Sequence, residues 1–305
     1  MNILMTGGTG LIGSALTRAL LADGHTVSIL TRSPERAQAS LPGARLVKWD
    51  GSSAHGWEGL VEDSEVVINL AGESLASGRW SDERKARLSS SRLQAGKALA
   101  EAIAQAAQRP RLLIQSSAVG YYGTSQLAEL DESSPAGNDF LAHICLEWEA
   151  STQAVEAMGV RRAIIRTGVV LSRAGGALPQ MVLPFRLMAG GPLGNGKQWV
   201  SWIHLNDEVG AIRFLASHPD VSGVYNLTAP NPLTNADFGR ILGRTLHRPY
   251  WLPAPAFALK LLLGEMSTLV LDGQKVLPRR LLDSGYVFTF SRLEDALNDL
   301  WINPA

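Results

Sequence analysis

A glycine-rich segment close to the first residue constrains the fold of this chain more than any other feature. Gly7, Gly10 and Gly13 follow an apolar, strand-like run and open a stretch of helical periodicity. Glycine is needed where a strand turns tightly into a helix and where backbone approaches a pyrophosphate, whose oxygens accept hydrogen bonds from the first helical turn. A purely structural turn is the alternative, which the position between strand and helix disfavours. The pattern predicts pyrophosphate contacts for Gly7, Thr9, Gly10, Leu11, Ile12 and Gly13.

Short apolar runs alternate with longer stretches of helical period along the first half of the chain. The predicted strands are residues 2–6, 26–30, 46–50, 66–70, 111–116 and 162–171. The longest predicted helix spans residues 81–106, with Ser81 as its N-cap. Such alternation is typical of a parallel sheet covered by helices on both faces. We therefore expect an α/β fold, a Rossmann-type parallel sheet with a smaller, mostly helical C-terminal substrate lobe.

The β/α rhythm breaks near Ala174, where glycine pairs and the prolines at 179, 184 and 192 begin. The predicted boundary assigns residues 1–173 to the dinucleotide-binding domain, to which some later segments return. Residues 174–305 form the smaller lobe, including a helical tail at 248–305. The apolar stretch 254–271 is interrupted by Lys260 and Glu265 and falls short of the roughly 20 apolar residues of a membrane-spanning helix. We expect a buried helix there.

The charge composition limits the kinds of partner that the chain can attract. It has 28 Lys and Arg residues against 28 Asp and Glu residues, so no overall field draws it to nucleic acid or to an anionic membrane. Its single cysteine, Cys145, excludes an internal disulfide framework and a cysteine-based metal cluster. The first residues leave no room for a cleavable signal segment. The sequence predicts a cytoplasmic monomer or homodimer that binds a small-molecule substrate, without metal, nucleic acid or membrane.

The end of the second predicted strand indicates which dinucleotide is bound. An acidic side chain at this position binds the ribose hydroxyls of NAD(H), whereas a cation accommodates the 2′-phosphate of NADP(H). This chain has Arg32 there, flanked by Thr31 and Ser33, with Arg36 close by. The pattern favours NADP(H) over NAD(H), with Thr31 and Arg32 as ligands. A solvated loop arginine is the alternative.

Residues at the ends of the third, fourth and fifth strands complete the predicted cofactor site. Ligands of open α/β sheets bind at this carboxyl edge, where small residues let the backbone pass along the cofactor. Asp50 is expected to contact the adenine, with a turn-forming role as an equal alternative. The remaining candidates at these strand ends are Leu70, Ala71, Gly72 and Ser116.

Several of these motifs resemble the extended short-chain dehydrogenase/reductase superfamily. The resemblance rests on the glycine loop, residues 69–72, residues 116–118 with Tyr122 and Gly123, and residues 166–171. More narrowly, the chain resembles the NAD-dependent epimerase/dehydratase-like "epimerase family" proteins that carry a C-terminal domain of unknown function. That likeness rests on residues 69–73, 79–80, 91–92, 120–123, 202–204, 207, 248–249, 264–265 and 276–280. It covers most of the chain and implies a bound dinucleotide, with Arg166 among the cofactor residues.

The resemblance also implies a catalytic Ser and a Tyr-x-x-x-Lys pair on the helix after the fifth strand, and here the chain departs from the pattern. Residues 138–149 contain neither tyrosine nor lysine, so the usual proton transfer has no donor there. Ser117 stands at the position of the serine. Tyr121 and Tyr122 are the candidate proton donors, with packing of the substrate pocket as the alternative.

Other polar residues are weaker candidates for catalysis. His143, Glu73 and Lys85 could act as acids or bases, although His143 beside apolar residues is more often a core histidine. Cys145 is expected to be a small buried residue. His204 is expected to support the start of a helix that Asn206 or Asp207 caps.

Arginines and tryptophans of the variable connections form the predicted substrate-facing set. They suit an anionic or planar substrate, and ordinary surface charge with core aromatics is the alternative. The set is Arg79, Trp80, Arg92, Arg186 and Trp199, with Lys197 beside it. The leading hypothesis is an atypical NADP(H)-dependent oxidoreductase or epimerase acting on a small polar substrate. A non-catalytic NADP(H)-binding sensor is the second, and an interaction module built on the leucine-rich tail is the third.

Overall fold

Thirteen strands and twelve α-helices make up the part of the chain that the computed structural model describes, residues 1–125 and 129–301. The strands are β1 (Asn2–Thr6), β2 (Thr26–Thr31), β3 (Arg45–Lys48), β4 (Val66–Asn69), β5 (Leu112–Ala118), β6 (Glu129–Leu130), β7 (Arg161–Thr167), β8 (Val169–Leu171), β9 (Trp199–Val200), β10 (Trp202–His204), β11 (Gly223–Leu227), β12 (Leu233–Thr234) and β13 (Lys275–Val276).

The helices alternate with these strands in the first half of the chain and dominate its last third. They are α1 (Leu11–Ala22), α2 (Pro34–Gln38), α3 (Gly59–Glu62), α4 (Asp82–Gln105), α5 (Phe140–Ala150), α6 (Leu178–Arg186), α7 (Leu205–Ser217), α8 (Asn235–Thr245), α9 (Ala256–Leu263), α10 (Thr268–Leu271), α11 (Arg279–Asp283) and α12 (Leu293–Trp301). Three 3₁₀ helices cover Val119–Tyr122, Gln153–Met158 and Gly264–Ser267.

The main sheet has seven strands in the order β11-β7-β5-β4-β1-β2-β3, and all its neighbours run parallel. The chain moves outward from β1 to β3 and then returns to place β4 on the other side of β1. This reversal leaves a crevice at the carboxyl ends of β1 and β4, where ligands of open α/β sheets bind. The predicted Rossmann-type α/β fold with a helical C-terminal region is confirmed.

Alternation of side chains along the strands fills both faces of the sheet. Ile3 and Met5 of β1 pack on the face that α1 and α7 cover, whereas Leu4 packs on the face that α4 covers. Helix α4 begins where the sequence predicts, because the Ser81 hydroxyl accepts a hydrogen bond from the Arg84 N–H. A sheet buried on both faces explains why its strands are apolar throughout rather than alternating.

A separate hydrophobic cluster joins α6, α8 and α12, with Trp202, Phe238 and Leu297 among its buried members. Because β11 belongs to the main sheet although it follows residue 174, the later half of the chain contributes both to the main sheet and to this separate cluster. The division at residues 173 and 174 stays a prediction.

The expectation of a buried helix at residues 254–271 is wrong. The segment forms two short helices, α9 and α10, neither of which has a buried residue. Phe257 is 75% exposed and Leu261 is 78% exposed. Gly264 adopts a φ of 62°, which ends α9 after eight residues. None of the helices in the described ranges combines the length and apolar character needed to cross a bilayer.

The predicted cap of α7 also needs correction. The cap is His204 itself, whose side chain accepts a hydrogen bond from the Asn206 N–H at 3.1 Å. The Asp207 carboxylate instead accepts hydrogen bonds from the backbone N–H groups of Thr289 and Phe290, at 2.8 Å each. Asp207 therefore ties the C-terminal segment to the start of α7.

Candidate dinucleotide and substrate site

The glycine loop between β1 and α1 is packed so tightly that two of its positions exclude any side chain. Gly7 has a φ of 69°, and a Cβ there would lie 2.4 Å from the Leu70 carbonyl oxygen. A Cβ at Gly13 would lie 2.2 Å from the Gly7 carbonyl oxygen. Helix α1 starts after Gly10 without a side-chain cap and without an acidic residue in its first turn. The first N–H groups of α1 therefore suit an anion. Leu11 and Ile12 are the first residues of this helix, and Thr9 precedes its N-cap.

A chain of buried side chains fixes the ends of the three central strands. The Thr6 hydroxyl donates to Asn69 Oδ1 at 2.6 Å, and Asn69 Nδ2 donates to Gln115 Oε1 at 2.9 Å. Asn69 Oδ1 also accepts from the Ala71 N–H at 3.2 Å, which shapes the turn after β4. These contacts were not predicted, although polar residues at the ends of apolar strands are a usable sequence signal for them.

The ends of β2 and β3 carry the predicted adenosine-binding residues. Arg32 is exposed and has no ion pair or hydrogen bond to another described residue, while Thr31 Oγ1 accepts from the Ser33 N–H. Asp50 instead accepts hydrogen bonds from the N–H groups of Ser52 and Ser53 at 2.8 Å each, and these bonds lower its pKa. The contacts of Asp50 are therefore those of a turn-forming residue.

Arg92 of α4 lies against the loop that follows β4. A Cβ at Gly72 would be 3.2 Å from the Arg92 guanidinium carbon. The guanidinium donates to the carbonyl oxygens of Leu88 at 2.8 Å and Glu73 at 2.9 Å, and it lies 5.0 Å from the centre of the Trp148 ring. Burial lowers the pKa of Arg92. These contacts hold the positive charge of Arg92 against the loop that follows β4.

A buried ion pair lies behind the end of β5 and was not anticipated. Glu149 of α5 accepts hydrogen bonds from Arg166 Nε at 2.8 Å and Arg166 Nη2 at 2.9 Å. Ser117 Oγ donates to the same carboxylate at 2.6 Å. Although burial lowers the pKa of Arg166, the hydrogen bonds and charge of Glu149 raise it overall. Ser116 precedes this cluster on β5 and is also buried.

The two candidate tyrosines have different surroundings. Tyr122 is 5% exposed, donates to Asn226 Oδ1 at 2.7 Å and accepts from Arg166 Nη1 at 3.1 Å. Burial raises the pKa of Tyr122 to about 12. The Tyr121 ring lies under the Arg166 guanidinium at 3.2 Å, and its hydroxyl has no hydrogen bond to any described residue. The Tyr122 hydroxyl thus has two hydrogen-bond partners, whereas the Tyr121 hydroxyl has none among the described residues.

The face of α5 that meets the end of β5 carries a leucine and a cysteine four residues apart. A Cβ at Gly120 would lie 3.3 Å from Leu141 Cβ and 3.8 Å from Cys145 Sγ, and Cys145 Sγ is 3.7 Å from the Ala118 carbonyl oxygen. The i, i+4 spacing is that of a Tyr-x-x-x-Lys pair. Burial raises the pKa of the Cys145 thiol to about 11. Neither side chain can exchange a proton near neutral pH.

The other candidates for catalysis lie in ordinary ionic and helical contacts. His143 is exposed, with Nδ1 2.7 Å from the Asp139 carbonyl oxygen. Lys85 forms an ion pair of 2.5 Å with Glu265. Glu73 pairs with Arg84.

The predicted substrate-facing set is distributed over several elements. Arg79 Nη2 donates to the Leu261 carbonyl oxygen at 3.4 Å, and Trp80 packs edge-on against Phe140. Arg186 and Lys197 are exposed, whereas the Trp199 ring lies 5.0 Å from Lys275 Nζ. The structure thus brings Arg79 and Trp80 onto the segment where the C-terminal helices meet the start of α4.

The sheet order, the glycine loop and the crevice together define an open α/β protein of the dinucleotide-binding class. The family model described as the NAD dependent epimerase/dehydratase family matches residues 3–228, and a domain of unknown function, DUF1731, matches residues 254–300. The chain belongs to the NAD dependent epimerase/dehydratase family, which confirms the resemblance found in the sequence.

Relatives of this family align along nearly the full chain. The epimerase family protein SDR39U1 homolog, chloroplastic, of Arabidopsis thaliana is 44% identical over 299 residues, covering 97% of this chain and 86% of the relative. Epimerase family protein YfhF of Bacillus subtilis (strain 168) is 43% identical over 301 residues, 98% of each chain. The crystal structure of human epimerase family protein SDR39U1 (isoform2) with NADPH is 37% identical, with a TM-score of 0.91, 99% of this chain covered and 100% of that chain.

Proposed function

We propose that this protein binds NADP(H) at the carboxyl edge of its main sheet and uses it in an oxidoreductase or epimerase-like reaction on a small polar substrate. The observation that carries the proposal is a pairing of two anion-accepting features on adjacent strands. The uncapped start of α1 follows β1, and the unpaired cation Arg32 follows β2.

The residues of this edge fit a phosphorylated dinucleotide. Gly7 and Gly13 leave the backbone bare where a pyrophosphate would lie, and the N–H groups at the start of α1 would bind its oxygens. Arg32 and Thr31 would hold the 2′-phosphate, since a guanidinium binds phosphate with two hydrogen bonds. The NADPH in the human relative's structure supports the same choice. When bound, the nicotinamide supplies or accepts a hydride.

Tyr121 is the residue we assign to proton transfer. The Ser117 hydroxyl is hydrogen-bonded to Glu149, and the Tyr122 hydroxyl is hydrogen-bonded to Asn226 and Arg166. The Tyr121 hydroxyl has no hydrogen bond to a described residue. The 3₁₀ helix that carries Tyr121 follows β5 directly, at the edge where the reacting groups meet. Ser117 and Glu149 then position Tyr121 through Arg166, which stacks on its ring.

Arg92 is the residue we assign to an anionic or electron-rich group of the substrate. It is held by two backbone carbonyls and by the face of Trp148, so its position is fixed before a ligand arrives. Arg79, Trp80, Arg186 and Trp199 would complete the substrate side of the cleft.

A specific observation favours the second candidate function, a non-catalytic NADP(H) sensor. Leu141 and Cys145 occupy the face of α5 that meets the end of β5, and neither can relay a proton. In that case the dinucleotide would be a ligand and not a reactant, and the Tyr121 hydroxyl would have no chemical role.

Turnover by two tyrosine variants separates the two candidates. The assay follows NADPH oxidation over a panel of small carbonyl compounds and, with NADP⁺, the interconversion of nucleotide-sugar epimers. We expect Tyr121→Phe to lower turnover by about 100-fold or more, the usual contribution of a general acid, without changing thermal stability. Tyr122→Phe is the matched control: it should destabilise the fold by about 1 kcal/mol and leave turnover of the folded protein within a few-fold. NADPH binding with neither oxidation nor epimerisation across the panel would exclude the catalytic function in favour of the sensor.

A further inference from the structure

A second anion-accepting feature lies at the C-terminal end of α8, away from the glycine loop. A cavity of about 530 Å³, open to solvent, is lined by Arg240, Gly243, Arg244, His247, Arg248 and Tyr250. Its lining contains three guanidinium groups and an imidazole but no carboxylate. Such a concentration of cations is unusual in a chain whose total charge is balanced.

The charges of this cavity are poorly compensated by the protein. Arg240 forms an ion pair of 2.6 Å with Asp237. Within the described part of the chain, Arg248 Nη1 donates only to the His247 carbonyl oxygen at 3.2 Å, and Arg244 has no ion pair or side-chain hydrogen bond. The end of α8 contributes about half a negative charge. Three guanidinium charges thus face one carboxylate and one helix end, so a net positive field remains.

One wall of the cavity is the Tyr250 ring, which stacks on Phe185 with 6.2 Å between the ring centroids. His247 has a φ of 51°, at the position after a helix that glycine usually takes. The His247 and Arg248 N–H groups donate to the carbonyl oxygens of Arg244 and Gly243 at 3.1 and 2.8 Å, so this conformation ends α8 and places Arg248 at the cavity.

We propose that this cavity is a binding site for a small molecule carrying a phosphate group, separate from the dinucleotide site. The Arg244 and Arg248 guanidinium groups bind the phosphate oxygens, since a guanidinium presents paired N–H donors that match phosphate geometry. Arg240 shares its charge between the ligand and Asp237. The occupant adds a negative charge where the fold has left an excess of positive charge.

The segment that follows the cavity contacts the connection between α6 and β9. The segment after the cavity packs on that connection: the Trp251 and Leu252 N–H groups donate to the Gly190 carbonyl oxygen at 2.8 and 3.0 Å. A Cβ at Gly190 would lie 2.7 Å from the Pro249 carbonyl oxygen. A phosphate bound by Arg248 would therefore lie next to residues that contact this connection directly.

Calorimetric titration of the full-length protein with inorganic pyrophosphate tests the proposal. Titrations are run with and without saturating NADPH, because pyrophosphate could also occupy the glycine loop. We expect one site that persists in NADPH, and at least about tenfold weaker binding to it in Arg244→Gln and in Arg248→Gln, each of which removes a charge-assisted contact. Arg87→Gln, an exposed arginine of α4, is the matched control and should bind as the wild type does.

Several outcomes would overturn the proposal. These are pyrophosphate binding that disappears in NADPH, binding weakened equally by Arg87→Gln, or binding that Arg244→Gln and Arg248→Gln leave unchanged. Binding to vesicles of an anionic phospholipid, without binding to free pyrophosphate, would assign the cavity to a lipid surface instead. NADPH binding in the Arg244→Gln protein is measured in parallel, so a failed dinucleotide site cannot be mistaken for a failed phosphate site.

Discussion

The residue type that a position of this protein requires is set either by local backbone geometry or by contacts with residues far away in the sequence. Gly7 and Gly13 belong to the first kind, because the turn between a strand and a helix already demands bare backbone there. Glu149 belongs to the second kind. It pairs with Arg166 and Ser117 from 17 and 32 residues away, and no local pattern marks it.

Glu208 is a buried carboxyl group whose ionisation opposes folding. It has no exposed surface, and among the described residues its carboxyl group accepts a hydrogen bond only from the Thr167 hydroxyl, at 2.8 Å. Burial raises its pKa from 4.5 to about 8. Between these values the unfolded chain loses the proton and the folded chain keeps it, so stability falls as the pH rises through this window.

Glu208→Gln should remove that pH dependence, since glutamine fits the same space and does not ionise. We expect the variant to gain at least about 2 kcal/mol in unfolding free energy relative to the wild type on going from pH 5 to pH 8. Denaturant unfolding at both pH values measures it. The exposed Glu35→Gln is the control. An equal difference between variant and wild type at the two pH values would show that Glu208 ionises freely in the folded protein.

At the scale of elements, the strands and α4 could be predicted from the sequence, but the C-terminal helices could not. Apolar runs of β-branched residues and the Ser81 cap are local signals, and the structure follows them. The stretch 254–271 has the composition of a core helix, yet α9 lies on the surface. Composition cannot show that the core of the second lobe is already filled by α6, α8 and α12.

Two leucines of the C-terminal region should respond in opposite ways to truncation. Leu297 of α12 is fully buried among α8 side chains, whereas Leu261 of α9 is 78% exposed. Leu297→Ala should cost about 2–5 kcal/mol of stability through lost burial and a cavity, and Leu261→Ala less than about 0.5 kcal/mol. Thermal and denaturant unfolding measure both. Equal effects would contradict the packing of α12 as a core element.

At the scale of the whole molecule, the rhythm of strands and helices was sufficient to predict the sheet. Tyr121 and Arg92 could be named as candidates from the sequence, but the pairing of Arg166 with Glu149 could not, because it joins residues 17 positions apart on different elements. The family of the chain agrees with its fold, but neither selects a substrate. The cytoplasmic location and the oligomeric state stay predictions.

Titration with NADPH and with NADH tests whether this edge of the sheet binds NADP(H) through Arg32. We expect NADPH to bind at least about tenfold more tightly than NADH, because Arg32 adds a charge-assisted contact to the 2′-phosphate. Arg32→Asp should abolish that preference, while Arg18→Asp, an exposed control on α1, should retain it. Equal affinity for the two nucleotides in wild type and variant, or no binding of either, would rule out recognition of NADP(H) by Arg32.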